Sequence, residues 1–219
     1  MNIRFASAAA IAAVMMLVSC GPSAEQIAAA KEKATADSIA AAAAMEKTWT
    51  IDVAASKVNW SGTMIGVKTH VGTLNFASGT MKTKGPLLIS GEFVVDMKNY
   101  TMNDTNYAAP GSEHGTKEML MGHLMSPAFF AVDSFPTASL KINTVSGNTA
   151  AGDLTVRGKT NPETVTDIVI TPNADGTVKA TGKLVFDRQK YGVIWSTGAK
   201  DMVVQDKIEL TVDLVGKAQ

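Results

Sequence analysis

The side chains best equipped for chemistry in this chain are few: three histidines, His70, His114 and His123, and one cysteine, Cys20. No two of the histidines stand four positions apart, the spacing that sets two imidazoles on one helix face around a metal, so no metal site is expected. Ser112-Glu113-His114 places a nucleophile, an acid and a base side by side in sequence. A catalytic triad is an arrangement in space rather than a run of neighbours, and the chain has neither a Gly-x-Ser-x-Gly elbow nor a Ser-x-x-Lys pair. It also lacks a glycine-rich phosphate loop following a strand. The chain reads as a non-enzyme with no catalytic residue and no cofactor.

Cys20 has a different chemistry. It follows a positively charged start, Met1-Asn2-Ile3-Arg4, and an apolar stretch from Ala8 to Val18 that is too short to span a bilayer comfortably. Leu17-Val18-Ser19-Cys20 resembles the bacterial lipobox, in which the thiol becomes the lipid-attachment site after cleavage before it. Residues 1–19 are therefore read as a lipoprotein signal peptide, with acyl chains on Cys20 holding the protein to a membrane surface rather than through it. The expected location is the bacterial cell envelope, facing the periplasm. Gly21 after the cysteine, in place of an aspartate, inclines the reading towards the outer membrane.

Charge and cysteine content narrow the rest. Lys and Arg number 20 and Asp and Glu number 20, so bulk charge attracts no nucleic acid. With the single cysteine committed to an anchor, neither a disulfide nor a thiolate metal site is available, and stability must come from a hydrophobic core. Residues 20–47 are Ala-rich with scattered charge and read as a stalk, helical or disordered. If helical, its roughly 25 residues would reach about 35 to 40 Å. Residues 48–219 form one domain, large enough to bury roughly 70% of its unfolded surface.

Within that domain the pattern changes to period two. Ile208, Leu210, Val212 and Leu214 alternate with Lys207, Glu209, Thr211 and Asp213, the mark of a strand with one buried and one wet face. The same alternation runs through Val178 to Phe186, Leu140-Ile142, Leu154-Val156 and Trp49-Ile51-Val53, while Phe93-Val94-Val95 reads as a more fully buried strand. Turn residues punctuate these runs at Gly85-Pro86, Ser146-Gly147-Asn148, Asn161-Pro162 and Pro172 to Gly176. Many short strands joined this way make an all-β sandwich or closed antiparallel barrel. One short helix interrupts them, Thr116 to Met125, with Ser112 offering a cap and Ser126-Pro127 a stop. The segment from Asn99 to Ser112 reads as a loop at one mouth.

Several segments are familiar. His123-Leu124-Met125-Ser126-Pro127-Ala128-Phe129-Phe130, followed by Phe135-Pro136-Thr137-Ala138, resembles the central motif of the YceI-like family of lipid-binding proteins. Trp49-Thr50-Ile51-Asp52 with Ser56-Lys57-Val58, His70-Val71-Gly72, Gly152 to Gly158 and Arg188-Gln189-Lys190-Tyr191-Gly192-Val193 are similar to further segments of that family, in the same order. The resemblance spans Trp49 to Leu214. It implies an extended, lipocalin-like antiparallel β-barrel of about eight strands, whose interior is just wide enough for one slender ligand. It also implies that this ligand is an isoprenoid lipid, a quinone or a polyprenyl species, and that two copies can pair as a homodimer. Family members are usually free periplasmic proteins, so the lipobox and stalk are a departure.

An isoprenoid tail offers methyl-bearing surface and almost nothing to hydrogen-bond, so the site must be a shaped apolar tunnel. Enclosing several hundred Å² would contribute about 10 kcal/mol before ordering costs. The candidate lining residues stand in or beside the recognised motifs: Met119, Leu124, Phe129, Phe130, Phe135, Val156, Phe186, Val193 and Trp195. Each would serve equally as core packing. Met119, Met121 and Met125 read as core or as an adaptable gate. Among polar residues, His123 either meets a lipid head group or ties the loop before Pro127. Arg157 and Arg188 either meet a quinone oxygen or phosphate or are ion-paired, with Asp96 and Asp153 as partners. The competing reading is an envelope structural or stress-response protein whose barrel is filled by its own side chains and binds a protein partner.

Overall fold

The structure, a computed structural model, describes residues 23–65, 67–105, 107–198 and 203–219. The leader, Cys20 and Gly21 lie outside the described residues. The chain divides into two compact units, residues 1–40 and 41–219. Helix α1, Ala24–Ala44, opens with a reciprocal cap: Ser23 Oγ accepts from the Gln26 amide at 3.2 Å, and Gln26 Oε1 accepts from the Ser23 amide at 2.8 Å. Its side chains from residue 23 to 37 are all exposed, as an Ala-rich, charge-studded sequence with no apolar face requires. Among the described residues no helix is long and apolar enough to cross a membrane.

Among the described residues the second unit has nine strands: β1 Glu46–Ile51, β2 Lys57–Ile65, β3 Lys68–Lys84, β4 Leu87–Met102, β5 Thr137–Ser146, β6 Thr149–Val156, β7 Lys159–Pro172, β8 Thr177–Asp187 and β9 Val203–Ala218. From β2 to β9 each strand pairs antiparallel with the next, and β9 returns to pair with β2, closing a barrel of eight strands. The ninth strand fits without adding a position. β1 pairs with Thr80 to Lys84 of β3 and with Gly216 to Ala218 of β9, whereas β2 pairs with earlier stretches of β3 and β9. β1 and β2 thus lie end to end in one slot, broken by a turn over residues 52–56. Asp52 shapes that turn by accepting the amides of Ala54 and Ala55, and Ser56 Oγ accepts the amide of Val215 at 2.9 Å across the gap.

Closure removes exposed sheet edges and turns one face of every strand inward. On β9 and β8 the expected inward sets are found, with Ile208, Leu214, Ala180, Leu184 and Phe186 buried. Phe93-Val94-Val95 corrects the reading of a fully buried strand. Phe93 is buried and Val94 is not, because the outer face of a lone closed sheet meets water. A second correction concerns β4, which runs to Met102 instead of yielding to a loop at Asn99.

Helix α2, Lys117–Met125, lies between β4 and β5. Its cap is Thr116, whose Oγ1 accepts the Met119 amide at 3.2 Å, and not Ser112; Ser126 ends it in extended backbone before Pro127. α2, loop residues 103–105 and 107–116 and the 3-10 turn Arg188–Tyr191 all sit at the barrel end formed by the close of β2, β4, β6 and β8. The opposite end is made of tight turns.

Candidate functional site

The barrel is hollow. A cavity of about 860 Å³ runs along its axis, within the range of about 300 to 1,000 Å³ of small-molecule sites. Every strand of the eight-strand barrel contributes to the wall: Val58 and Trp60 from β2, Leu74 and Phe76 from β3, Phe93 and Tyr100 from β4, Leu140 and Ile142 from β5, Leu154 and Val156 from β6, Val165 and Ile170 from β7, and the inward sets of β8 and β9. The depth of the cavity, towards the turn joining β3 to β4, is lined by Met81, Leu88 and Phe93. No catalytic or cofactor-holding constellation is needed to explain such a wall. A wall of this kind can hold a flexible hydrocarbon by burial alone.

The candidate residues divide into two groups. Met119, His123, Leu124, Phe129, Phe130, Val156, Phe186 and Trp195 line the cavity. Phe129 is in ring contact with Phe130, His123 and Trp195, and His123 also meets Trp195, the closest centroids being His123 to Trp195 at 4.4 Å and Phe129 to Phe130 at 5.0 Å. The motif containing His123, Phe129 and Phe130 achieves this because the chain after α2 folds back on it: Phe130 N donates to Leu124 O at 3.0 Å and Val132 N to Met125 O at 3.0 Å.

Phe135, Val193, Arg157 and Arg188 are not part of that wall, each for a specific reason. Arg157-Gly158 is the two-residue turn between β6 and β7, with φ of 50° and 70°, the left-handed pair that such hairpins require. Phe135 packs over this turn, where a Cβ on Gly158 would fall 2.6 Å from its ring. The Arg157 guanidinium donates to the carbonyls of Gly192 and Pro127, tying three segments together from outside the barrel. Arg188 is buried, its side chain 2% exposed, and donates to the carbonyls of Val193, Trp195, Val204 and Gln205 at 2.6 to 3.2 Å and to Asp206 at 3.0 Å. Its ion-pair partner is thus Asp206, not Asp96 or Asp153. Val193, fully buried, is held in the same knot.

Met121 and Met125 pack against the core without reaching the cavity, which leaves Met119, 47% exposed at the mouth, as the methionine of α2 that touches it. Across the mouth lies a polar latch. Asp104 accepts from Tyr107 Oη at 2.7 Å and meets His70 Nδ1 at 3.0 Å; the Tyr107 ring stacks on His70 at 5.8 Å, and Lys68 sits 4.3 Å above that ring. Burial pushes the Asp104 carboxyl up, but the hydrogen bonds from Tyr107, His70 and the Val71 amide outweigh it and hold the group below the usual carboxylate range. Burial also pushes the His123 imidazole below its ordinary value, so it is neutral near pH 7.

Trp60 and Tyr100 line the same end of the cavity and were not among the sequence candidates. Trp60 was legible, since Val58 and Trp60 alternate with polar neighbours. Tyr100 was not. The inward phase of β4 runs Phe93, Val95, Met97 and then jumps to Tyr100 and Met102, because Asp96 gathers the Lys98 amide and the Asn99 side chain into a bulge.

Comparison with known proteins agrees with this architecture. A model of the YceI-like domain matches residues 49–216. UPF0312 proteins of Staphylococcus aureus are 32% identical over 99 residues, covering 42% of this chain; the chain spans 57% of the length of those relatives. Among solved structures, Burkholderia cenocepacia BcnA superposes with a TM-score of 0.58 at 22% identity, covering 75% of this chain and 98% of the other. A polyisoprenoid binding domain from Saccharophagus degradans, implicated in plant cell wall breakdown, superposes with a TM-score of 0.51 at 10% identity, covering 78% and 98%.

Proposed function

Because this chain belongs to the YceI-like domain family, we propose that it binds an isoprenoid lipid, of quinone or polyprenyl type, in its barrel interior and carries or sequesters it without bond chemistry. The observation that carries this reading is the axial cavity of about 860 Å³, walled by aliphatic and aromatic side chains from all round the barrel. A barrel filled by its own side chains, the structural rival, would have no such space. The binding of a polyisoprenoid by a protein of the same fold supports the choice of ligand class. Burial of a methyl-bearing chain at roughly 25 cal/mol per Å² is a sufficient driving force.

The test is native mass spectrometry of the purified protein, followed by denaturing lipid extraction. The expected result is one discrete adduct per chain, released as an isoprenoid. A protein that is adduct-free and also fails to take up added isoprenoid lipids would overturn the reading.

The same proposal includes the anchor. Acylation of Cys20 would hold the barrel at an envelope membrane, facing the periplasm, within reach of the lipid phase from which such a ligand must come. Metabolic labelling with an alkyne fatty acid should mark the wild-type protein and leave Cys20→Ser unlabelled; equal labelling of both would remove Cys20 from this role.

A further inference from the structure

The wall of the cavity is mostly apolar, with Thr63, Lys68, His70, Ser139, Thr181 and Lys183 among its polar members. Trp60 Nε1, Tyr100 Oη and His123 Nε2 are buried and, among the described residues, have no hydrogen-bond partner. All three side chains line the cavity, and Trp60 and Tyr100 are only 9% and 8% exposed. An orphaned buried polar atom costs about 1 to 3 kcal/mol, and each one in a native interior calls for an explanation, an absent hydrogen-bonding partner among them.

The three are linked by a run of rings. Trp60 meets Tyr100 edge-on at 6.2 Å, Tyr100 stacks on Phe130 at 6.3 Å, Phe130 contacts Phe129, Phe129 meets His123 at 5.5 Å, and His123 meets Trp195. These six rings form a collar on the cavity wall at the α2 end.

The chemistry of the collar is that of a neutral hydrogen-bonding seat. The indole N–H can only donate, the phenol donates or accepts, and the imidazole Nε2 takes either role according to its tautomer. Burial raises the Tyr100 hydroxyl and lowers the His123 imidazole, so each is uncharged at neutral pH. Seating an anion there would require a cation to offset its desolvation. Arg157 and Arg188 are bound to backbone carbonyls outside the cavity, Lys68 at the mouth is engaged with Asp104 and the Tyr107 ring, and Lys183, the other lysine of the wall, is paired with Asp167 at 3.0 Å.

We propose that Trp60, Tyr100 and His123 form the head-group seat of the lipid, selecting a flat, uncharged, oxygen-bearing ring over a phosphate head and orienting the ligand with its head at the α2 end and its tail towards Met81, Leu88 and Phe93. This rests on the isoprenoid reading above and adds to it the polarity and direction of the ligand. The ring stacks within the aromatic collar, and its oxygens supply the partners that Trp60 and Tyr100 lack.

The proposal is tested with the full chain, stripped of lipid, titrated by calorimetry with four compounds of equal prenyl length: a prenylated benzoquinone, a prenyl alcohol, a prenyl phosphate and the tail hydrocarbon alone. The quinone is expected to bind about tenfold or more tightly than the phosphate and the hydrocarbon, two hydrogen bonds being sufficient for that ratio. In Tyr100→Phe the preference for quinone over hydrocarbon should fall by about fivefold, the share of one hydrogen bond. Because the Tyr100 hydroxyl has no partner in the empty protein, Tyr100→Phe should melt at or above the wild-type temperature, and a lowered melting temperature would count against the seat. Equal affinity across the series, a phosphate preference, or an unchanged ratio in Tyr100→Phe would overturn the seat while leaving isoprenoid binding intact. Failure of all four compounds to bind would overturn both.

Discussion

At the scale of single residues, the chain keeps its strongest cation away from the cavity and uses it as a fastener. Arg188 gathers four backbone carbonyls from the segment after the 3-10 turn and from the start of β9, and one of these belongs to Trp195, whose ring faces the cavity. A planar guanidinium with five donors can satisfy such a set; an ammonium cannot. Arg188→Ala should therefore cost about 3 to 5 kcal/mol, since it leaves four carbonyls without their donor, whereas Asp206, 46% exposed, turns to water. Arg188→Lys should recover only part of this. Chemical denaturation measures the loss, and a red shift in tryptophan emission would report the release of Trp195 towards water. A variant with wild-type stability and emission would mean that the knot is not needed to hold this segment. The sequence offered Arg188 as a binding candidate because a motif marks a residue as needed without saying for what.

At the scale of elements, what matters is how the mouth is covered. Strand β3 and loop residues 103–105 and 107–116 are joined by Asp104 with His70, Tyr107 and Lys68, and the loop amide of Asn103 donates to Val71 O at 2.9 Å. The carboxyl of Asp104 is held below its ordinary value, so its contribution is fully present above the unfolded carboxylate pKa of about 3.9 and is lost as pH falls through the lower folded value. Amide exchange at Tyr107 and Ala108 should accelerate on acidification below about pH 4, and Asp104→Asn should exchange fast at neutral pH with little further change on acidification. Identical exchange in the two proteins at neutral pH would show that the loop is held by other contacts. The strands themselves were largely readable, since β8 and β9 follow their alternation from end to end. The bulge in β4 was not, because an extra residue in a strand changes the phase without changing composition. Close backbone approach was equally hidden: a Cβ on Gly72 would fall 2.1 Å from Thr101 O and 2.7 Å from the Trp60 ring, a constraint visible only once β2, β3 and β4 lie side by side.

At the scale of the whole molecule, function follows from a space that no element contains by itself. Ala180 is buried on the cavity wall, so Ala180→Phe should place a ring where the lipid tail lies and abolish the co-purifying adduct, while the empty volume absorbs the added side chain and the barrel still folds cooperatively. Lipid extraction and thermal melting read the two effects separately, and full lipid content in a folded Ala180→Phe would place the ligand elsewhere. In the wild type, bound lipid should raise stability by about 2.7 kcal/mol at a hundredfold excess over Kd. The sequence by itself determined the local facts: the all-β pattern from Trp49 onwards, the position of the helix before Ser126-Pro127, the turns at Gly85-Pro86, Ser146 to Asn148 and Pro172 to Gly176, and the motifs that make the family recognisable, because alternation and turn residues act over a few positions; Asn161-Pro162, read as a turn, lies within β7, paired with Leu154 and Asp153. Only the tertiary structure decided that β1 and β2 share one strand position, that Phe135 packs over the Arg157-Gly158 turn while Phe129 and Phe130 face the cavity, and that Trp60, Tyr100 and His123 line one cavity through a run of ring contacts. Those relations depend on register, closure and a bulge, which set residues from distant parts of the chain side by side, Trp49 against Ala218 among them, and leave no mark in the local pattern.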